Sequence, residues 1–175
     1  MKISMYSMAV DTFVPMLKDL SAVLDKGVAH SKDKNFDLPN ARLAPNMFTL
    51  TQQVQLACGH AADGVSRLLG EKPRHFDDNE KTTDDLKNRI LETIEHLRRT
   101  QAAGFAGAED RDCSILLPNG MVISMNGLQF LRDWALPHFY FHVVTTYAIL
   151  RHKGVNLGKE DYLDHIGGFI RPHQT

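Results

Sequence analysis

The chain has 175 residues, of which 43% are hydrophobic and 23% charged, which predicts one globular domain over residues 1–175. Twenty basic residues against 21 acidic ones give a net charge of -1, and no basic run exceeds Arg98-Arg99, which argues against nucleic-acid partners. Two distant cysteines, Cys58 and Cys113, exclude a disulfide scaffold or a cysteine zinc site, and we expect both to be reduced.

The hydropathy pattern gives no indication of a membrane partner. No apolar run is long enough to cross a bilayer, and residues 1–8 lack the apolar segment and cleavage site of a signal peptide. We therefore expect a cytoplasmic protein.

Two amphipathic helices are predicted in the first 70 residues. Apolar residues recur at spacings of three and four over residues 7–29, with Pro15 in the first turn or at a kink, and again over residues 46–69. Gly70 is a typical helix stop, and the polar residues 30–45 form a long connection between the two helices.

A third helix follows a charged surface loop over residues 71–81. Thr82 or Thr83 is the predicted N-cap, and the helix continues to about residue 100. Its apolar stripe predicts a buried face, whereas Glu92, Glu95 and His96 are expected to point to solvent.

A β-hairpin and a fourth helix complete the predicted elements. Two short apolar runs, 114–117 and 121–124, flank an Asn-Gly turn, and an Asn126–Gln129 capping box begins a helix that reaches about residue 150. Pro137 should bend this helix, and one more helical turn is expected before a break at Gly167-Gly168. These elements predict an all-α, four-helix bundle with a small β-hairpin inserted before the last helix, which is the simplest architecture that accommodates them.

The fourth helix contains two histidines at the spacing that a helix uses to offer two metal ligands. His138 and His142 lie four residues apart, one above the other, on the apolar stripe. A buried, unsatisfied imidazole costs roughly 1–3 kcal/mol. The pair therefore needs a metal ion, carboxylate or hydroxyl partners, or a water-filled cleft.

A catalytic divalent metal usually has three protein ligands, and His60 in the second helix is the candidate third. Its helical angle puts it on the flank of the apolar stripe, so periodicity alone does not direct it at His138. The remaining histidines fall in predicted loops, polar faces or termini and are expected to be solvated. These are His30, His75, His96, His152, His165 and His173.

One histidine in the second helix and a His-x-x-x-His pair in the last resemble the pattern of the DinB/YfiT-like metalloenzymes. Residues 43–48, 53–61, 73–82 and 136–142 are more closely similar to a bacterial family of unknown function allied to that superfamily. The resemblance extends over nearly the whole chain. The inserted hairpin and the aromatic run from residue 139 to 141 depart from the superfamily pattern.

The resemblance implies a function. It makes His60, His138 and His142 the ligands of one divalent metal ion, typically zinc or nickel. Relatives include thiol-dependent transferases, so a small-molecule thiol and an electrophile are implied as partners of a transferase or hydrolase. Tyr140, Tyr147 or Asp133 could assist, and nothing in the sequence selects among them.

The alternative is a non-catalytic helical binding or dimerisation module that holds no metal. Its inward histidines would hydrogen-bond to each other, to Asp63 or to Thr145. Bundles of this size often pair through helix faces, so a homodimer is expected under either hypothesis.

Overall fold

Four long helices form the body of the molecule. A computed structural model describes residues 3–171. The helices are α1 (Met5–Lys34), α2 (Leu50–Leu69), α3 (Thr83–Arg99), the short α4 (Gly127–Phe130) and α5 (Leu136–His152). Helices α1 and α2 contact each other, and each also contacts α3 and α5. The predicted all-α, four-helix bundle is confirmed, and α2 lies where it can bring side chains to α5.

Local capping decides where the helices begin and end. Thr49 accepts a hydrogen bond from the Gln52 backbone N–H, so α2 begins at residue 50, four residues later than periodicity predicted. Helix α1 continues beyond the predicted residue 29 because its chain reverses only at Asn35, which is left-handed at φ 50°. Pro15 lies inside α1, and Gly70 ends α2 as predicted.

The segment that carries the histidine pair is not a uniform α-helix. A π-helical turn, Leu131–Ala135, joins α4 to α5, and the Leu136 N–H donates to the carbonyl of Leu131, five residues back. The widened turn ends just before Pro137, the residue at which a bend was predicted and one that has no N–H to donate. Such turns are frequent at functional sites.

Small elements close the fold. Strands β1 (Ile115–Leu116) and β2 (Val122–Ile123) pair antiparallel and confirm the predicted hairpin. After α5 come α6 (Lys159–Tyr162) and a 3-10 helix, Asp164–Phe169. The predicted break at Gly167-Gly168 is wrong, because glycine disfavours but does not exclude helical geometry, and Ile170 N–H still reaches the Gly167 carbonyl.

Both cysteines lie in the core, and one histidine that was expected to point to solvent is half-buried. Cys58 and Cys113 are both buried and free. His96 does not point to solvent as predicted: it is half-buried, and its Nε2 is enclosed without a hydrogen-bond partner among the described residues. Burial, and then the charge of Arg74, lower its pKa.

No helix in the described part of the chain has the length and apolar character needed to cross a membrane.

Candidate metal centre

The packing of α2 against α5 brings three histidines together. The ring centre of His60 lies 4.8 Å from that of His138 and 5.4 Å from that of His142. The rings are nearly parallel, with interplanar angles of 26° and 7°. The sequence left the orientation of His60 open, and the structure places it beside both members of the pair.

His142 is held by a buried glutamine from α2. Its Nδ1 lies 2.7 Å from Oε1 of Gln53, and both side chains are buried. The other end of the Gln53 amide donates to the Phe48 carbonyl at 3.5 Å, which orients the amide oxygen towards His142. Nδ1 must therefore donate, and in the neutral ring Nε2 keeps its lone pair.

His138 is oriented by the backbone of the π-helical turn. Its Nδ1 lies 2.8 Å from the carbonyl oxygen of Trp134, a group that can only accept. Nδ1 again donates, so Nε2 of the neutral ring is again free to bind. The Trp134 indole packs over the imidazole with ring centres 4.3 Å apart and restricts its rotation.

His60 lacks the kind of hydrogen bond that orients each of the other two rings within the described residues. No hydrogen bond joins its ring to another of residues 3–171, and its neighbour Gly59 has no side chain to pack against it. The ring is half-buried and can turn about its Cβ–Cγ bond more freely than those of His138 and His142. It is the most adaptable member of the cluster.

The cluster favours uncharged imidazoles. Burial, followed by the neighbouring His138 and His142, lowers the pKa of His60 to about 4. Burial, followed by His138, lowers the pKa of His142 to about 4. Near neutral pH both rings are therefore uncharged, which is the form that binds a metal ion.

These pKa values give a pH prediction for the metal-free chain. Both histidines titrate near pH 4 when folded but near 6.5 when unfolded, so the unfolded chain binds more protons between these values. Their contribution to stability is complete above pH 6.5 and is lost as the pH falls towards 4. NMR titration of the imidazole C–H signals would measure it, and apparent pKa values near 6.5 for both would contradict it.

The spacing of the cluster suits a metal ion, but the ring orientation does not yet close a site. Two imidazoles on one tetrahedral ion with Zn–N bonds of about 2.0–2.1 Å have ring centres about 5 Å apart. The observed separations of 4.8 and 5.4 Å agree with this value. As placed, however, no group of three or more His, Cys, Asp or Glu side chains within residues 3–171 is arranged to hold an ion. The donor atoms, the fixed tautomers of His138 and His142 and the spacing fit, whereas the present ring orientations do not.

Gln53 provides a prediction that separates metal binding from packing. Replacing it with leucine removes the acceptor for His142 Nδ1–H, and loss of such a partner typically lowers metal affinity about 10–100-fold. Gln53→Glu retains an acceptor at the same place and should retain most of the affinity. Competition with a chromophoric chelator measures both variants, and equal affinity of Gln53→Leu and the parent would refute this role.

Most of the alternative partners considered from the sequence lie elsewhere. Asp63 pairs with Arg67, and Thr145 donates to the Phe141 carbonyl, so neither is a hydrogen-bond partner of the histidines.

The residues considered as assisting groups also have other surroundings. Asp133 is exposed and pairs with Arg132. Tyr147 packs against Tyr162, and Tyr140 is half-buried with its pKa raised by burial. Gln53 and the Trp134 carbonyl are the partners that the sequence analysis missed.

Two of the six histidines set aside have specific contacts. His165 is not simply solvated as predicted, because its Nδ1 donates to the buried carboxylate of Asp19. His30 Nε2 contacts the Lys153 carbonyl at 3.1 Å. His75 and His152 are exposed as predicted, and His173 lies outside the described residues. None of the described histidines of this group joins the cluster.

The fold and the histidine cluster define a DinB-like helical protein. The chain is similar to a DinB family member protein from Shewanella denitrificans, whose crystal structure it matches with a TM-score of 0.84 and 38% identity over 97% of this chain and 94% of that one. The resemblance predicted from the sequence is confirmed.

The sequence of the chain also identifies its family. A profile described as Domain of unknown function (DUF1993) matches residues 5–163, and the chain belongs to this family. No curated protein matches the sequence of this chain.

Proposed function

We propose that this protein is a metal-dependent enzyme whose His60, His138 and His142 hold one divalent ion, zinc or nickel. The observation that carries the proposal is the pair of fixed tautomers: Gln53 and the Trp134 carbonyl each occupy an Nδ1–H and leave Nε2 available. Histidine ligands of metals almost always have such partners. Neutral imidazole nitrogens also suit zinc and nickel.

The remaining residues support an open site. Three protein ligands leave a coordination position for a water or a thiol, as in catalytic zinc sites. His60 and His138 are partly exposed, whereas His142 is only 6% exposed, so access is from the side of His60 and His138. Trp134, which packs on His138, excludes water from the other flank of that ring.

The proposed reaction is a thiol-dependent transfer or a hydrolysis at an electrophilic carbon. When bound, a divalent ion lowers the pKa of a coordinated thiol or water and so supplies a nucleophile at neutral pH. The chain's own contribution is to keep His60 and His142 uncharged and to orient His138 and His142 through their Nδ1–H groups.

Thiol binding can be tested by spectroscopy before any substrate is known. Cobalt(II) replaces zinc in many nitrogen-ligand sites and gives a near-ultraviolet charge-transfer band when a thiolate binds. Titration of the cobalt-loaded protein with 2-mercaptoethanol should produce this band with saturation, and the His60→Ala variant should not show it. If the loaded parent gives no band at any thiol concentration, the thiol-dependent reaction is refuted and hydrolysis remains.

A second function, a metal-free binding or dimerisation module, is favoured by the nearly parallel stacking of the rings. Parallel imidazoles can pack as an apolar layer between α2 and α5 without an ion. Under this hypothesis the histidines stabilise the helix interface, and the homodimer expected from the sequence becomes the functional form. Metal analysis of the purified chain distinguishes the two hypotheses.

A further inference from the structure

A cavity of about 310 Å³ opens directly beside His60. It lies between α2 and the irregular segment 71–82, and its walls include Leu56, Gly59, Phe76 and Arg74. A volume of this size is at the small end of ligand-binding sites in proteins. The cavity therefore joins the least constrained histidine of the cluster to a segment that the metal ligands do not use.

The absence of a side chain at Gly59 keeps this space open. Glycine in the middle of a 20-residue helix lowers helix stability by roughly 0.5–1 kcal/mol relative to alanine. A Cβ at Gly59 would meet no other atom within 4 Å, so neighbouring packing does not require glycine here. Gly59 therefore lowers helix stability and leaves a free volume next to His60. Such a free volume is expected of a binding cavity.

One arginine of the cavity wall, Arg74, has an exposed ion-pair partner that lies outside the wall. Asp63 is held by Arg67 at 2.9 Å, and Asp78 lies 2.6 Å from the buried Arg89, which it shares with Glu80. Both aspartates of the wall therefore have an arginine partner other than Arg74. Within residues 3–171 the ion-pair partner of Arg74 is Glu92, which lies 3.3 Å away, is 62% exposed and is not part of the cavity wall. Ion pairs this exposed contribute little and exchange partners readily.

Arg74 packs against an aromatic ring, and the carboxylate of its partner Glu92 is exposed. Its Cζ lies 5.0 Å from the centre of the Phe76 ring, and the Cζ of Arg89 lies 4.1 Å from the same centre. Arg89 is fixed by Glu80 and by the Gln55 carbonyl, so it holds the aromatic ring against which Arg74 packs. A guanidinium held this way can receive a planar anion through two N–H groups.

We infer that this cavity is the ligand site of the cluster, and that it takes a small organic molecule whose carboxylate binds Arg74 while its other end lies at His60. The inference deepens the proposed function and rests on it for the role of His60. The apolar wall formed by Leu56 and Phe76 suits a short hydrocarbon linker between the two ends.

The first test uses metal-free protein, so it does not depend on the proposed metal. Hexanoate is titrated against ¹⁵N-labelled chain, and NMR signals of the Arg74 Nε–H and the Gly59 amide should shift with saturation. Arg74→Gln should weaken binding about tenfold or more, since a hydrogen bond to a charged group contributes roughly 1.5–3 kcal/mol. Arg99→Gln, an exposed arginine at the end of α3, is the matched control and should bind like the parent.

Gly59→Leu tests the cavity itself. Leucine favours the helix over glycine, so the melting temperature should stay equal or rise, while hexanoate binding should be lost because the side chain fills the space. Hexanoate shifts that persist in both Gly59→Leu and Arg74→Gln would overturn the inference. If the cavity variants behave as expected but the parent binds no metal, the carboxylate site stands and the proposed metal function fails.

The second test uses cobalt-loaded protein and measures whether the carboxylate and the thiol of one ligand bind at the same time. The probes are 6-mercaptohexanoate and 6-mercaptohexan-1-ol, which share a thiol and differ only in the carboxylate. We expect the acid to bind at least about tenfold more tightly, with the difference abolished in Arg74→Gln. Equal affinity of the two thiols in the parent would overturn the carboxylate inference while leaving the thiol-dependent function intact.

Discussion

Replacing His60 with alanine should abolish metal binding and leave the fold intact. The other ligand candidates, His138 and His142, make hydrogen bonds through Nδ1, whereas the His60 ring makes none within the described chain and is half-buried. Its removal therefore leaves no buried partner unsatisfied, and we expect the free energy of unfolding of the metal-free protein to change by less than about 1 kcal/mol. Two remaining imidazoles bind a divalent ion far more weakly than three.

The matched control is His152→Ala, an exposed histidine on α5 that should bind metal like the parent. Isothermal titration with zinc measures affinity, and urea unfolding of metal-free samples measures stability. Unchanged zinc affinity in His60→Ala would remove His60 from the site. Unfolding of that variant, with no metal in the parent, would favour the packing role of the histidines instead.

Replacing Arg89 with methionine should be the most destabilising change considered. The Arg89 side chain is 4% exposed, and its Nη1 lies 2.8 Å from Oε1 of Glu80, whose side chain is 11% exposed. Burial alone raises the pKa of Glu80, but hydrogen bonds from Arg89 and Gln55 outweigh this and bring the pKa below its ordinary value. Removing one partner of such a pair typically costs about 3–5 kcal/mol, because the other charge stays buried.

The double variant Arg89→Met/Glu80→Gln provides the control. With both charges removed, no buried carboxylate is left unpaired, because Asp78, the other partner of Arg89, is 60% exposed; stability should therefore recover by a large part of the loss. The pKa of Glu80 is lower in the folded protein than in the unfolded chain. Its contribution to the free energy of unfolding is therefore complete above pH 4.5 and is lost as the pH falls through the pKa of the folded state. Urea unfolding of the single and double variants measures the difference. A loss within about 1 kcal/mol for Arg89→Met would contradict a structural ion pair.

Helical periodicity was sufficient to predict the architecture. The stripes on α1, α2 and α3 arise from burial of one helix face, so their spacing in the sequence carries the signal directly. The Gly70 stop, the Asn126–Gln129 capping box and the hairpin are likewise local patterns, and all are present. Helix bounds were less predictable, because capping at Thr49 and Asn35 decides them.

The site was only partly predictable, because its partners depend on packing between distant segments. His138 and His142 follow from spacing, but Gln53 and His142 are 89 residues apart, and periodicity within one helix cannot pair them. A signal did exist: Gln53 lies seven residues before His60, two turns away on a buried face. Arg89 likewise lies on the apolar stripe of α3, where a charge requires a partner.

Metal content of tag-free protein is the most direct test of the central claim. Elemental analysis of the purified chain, before and after reconstitution with zinc, nickel, iron and manganese, should give about one ion per chain in the parent and in His152→Ala. The His60→Ala and His138→Ala variants should retain almost none. Absence of metal from the reconstituted parent would contradict the three-histidine site, and the metal-free helical module would then be the better account.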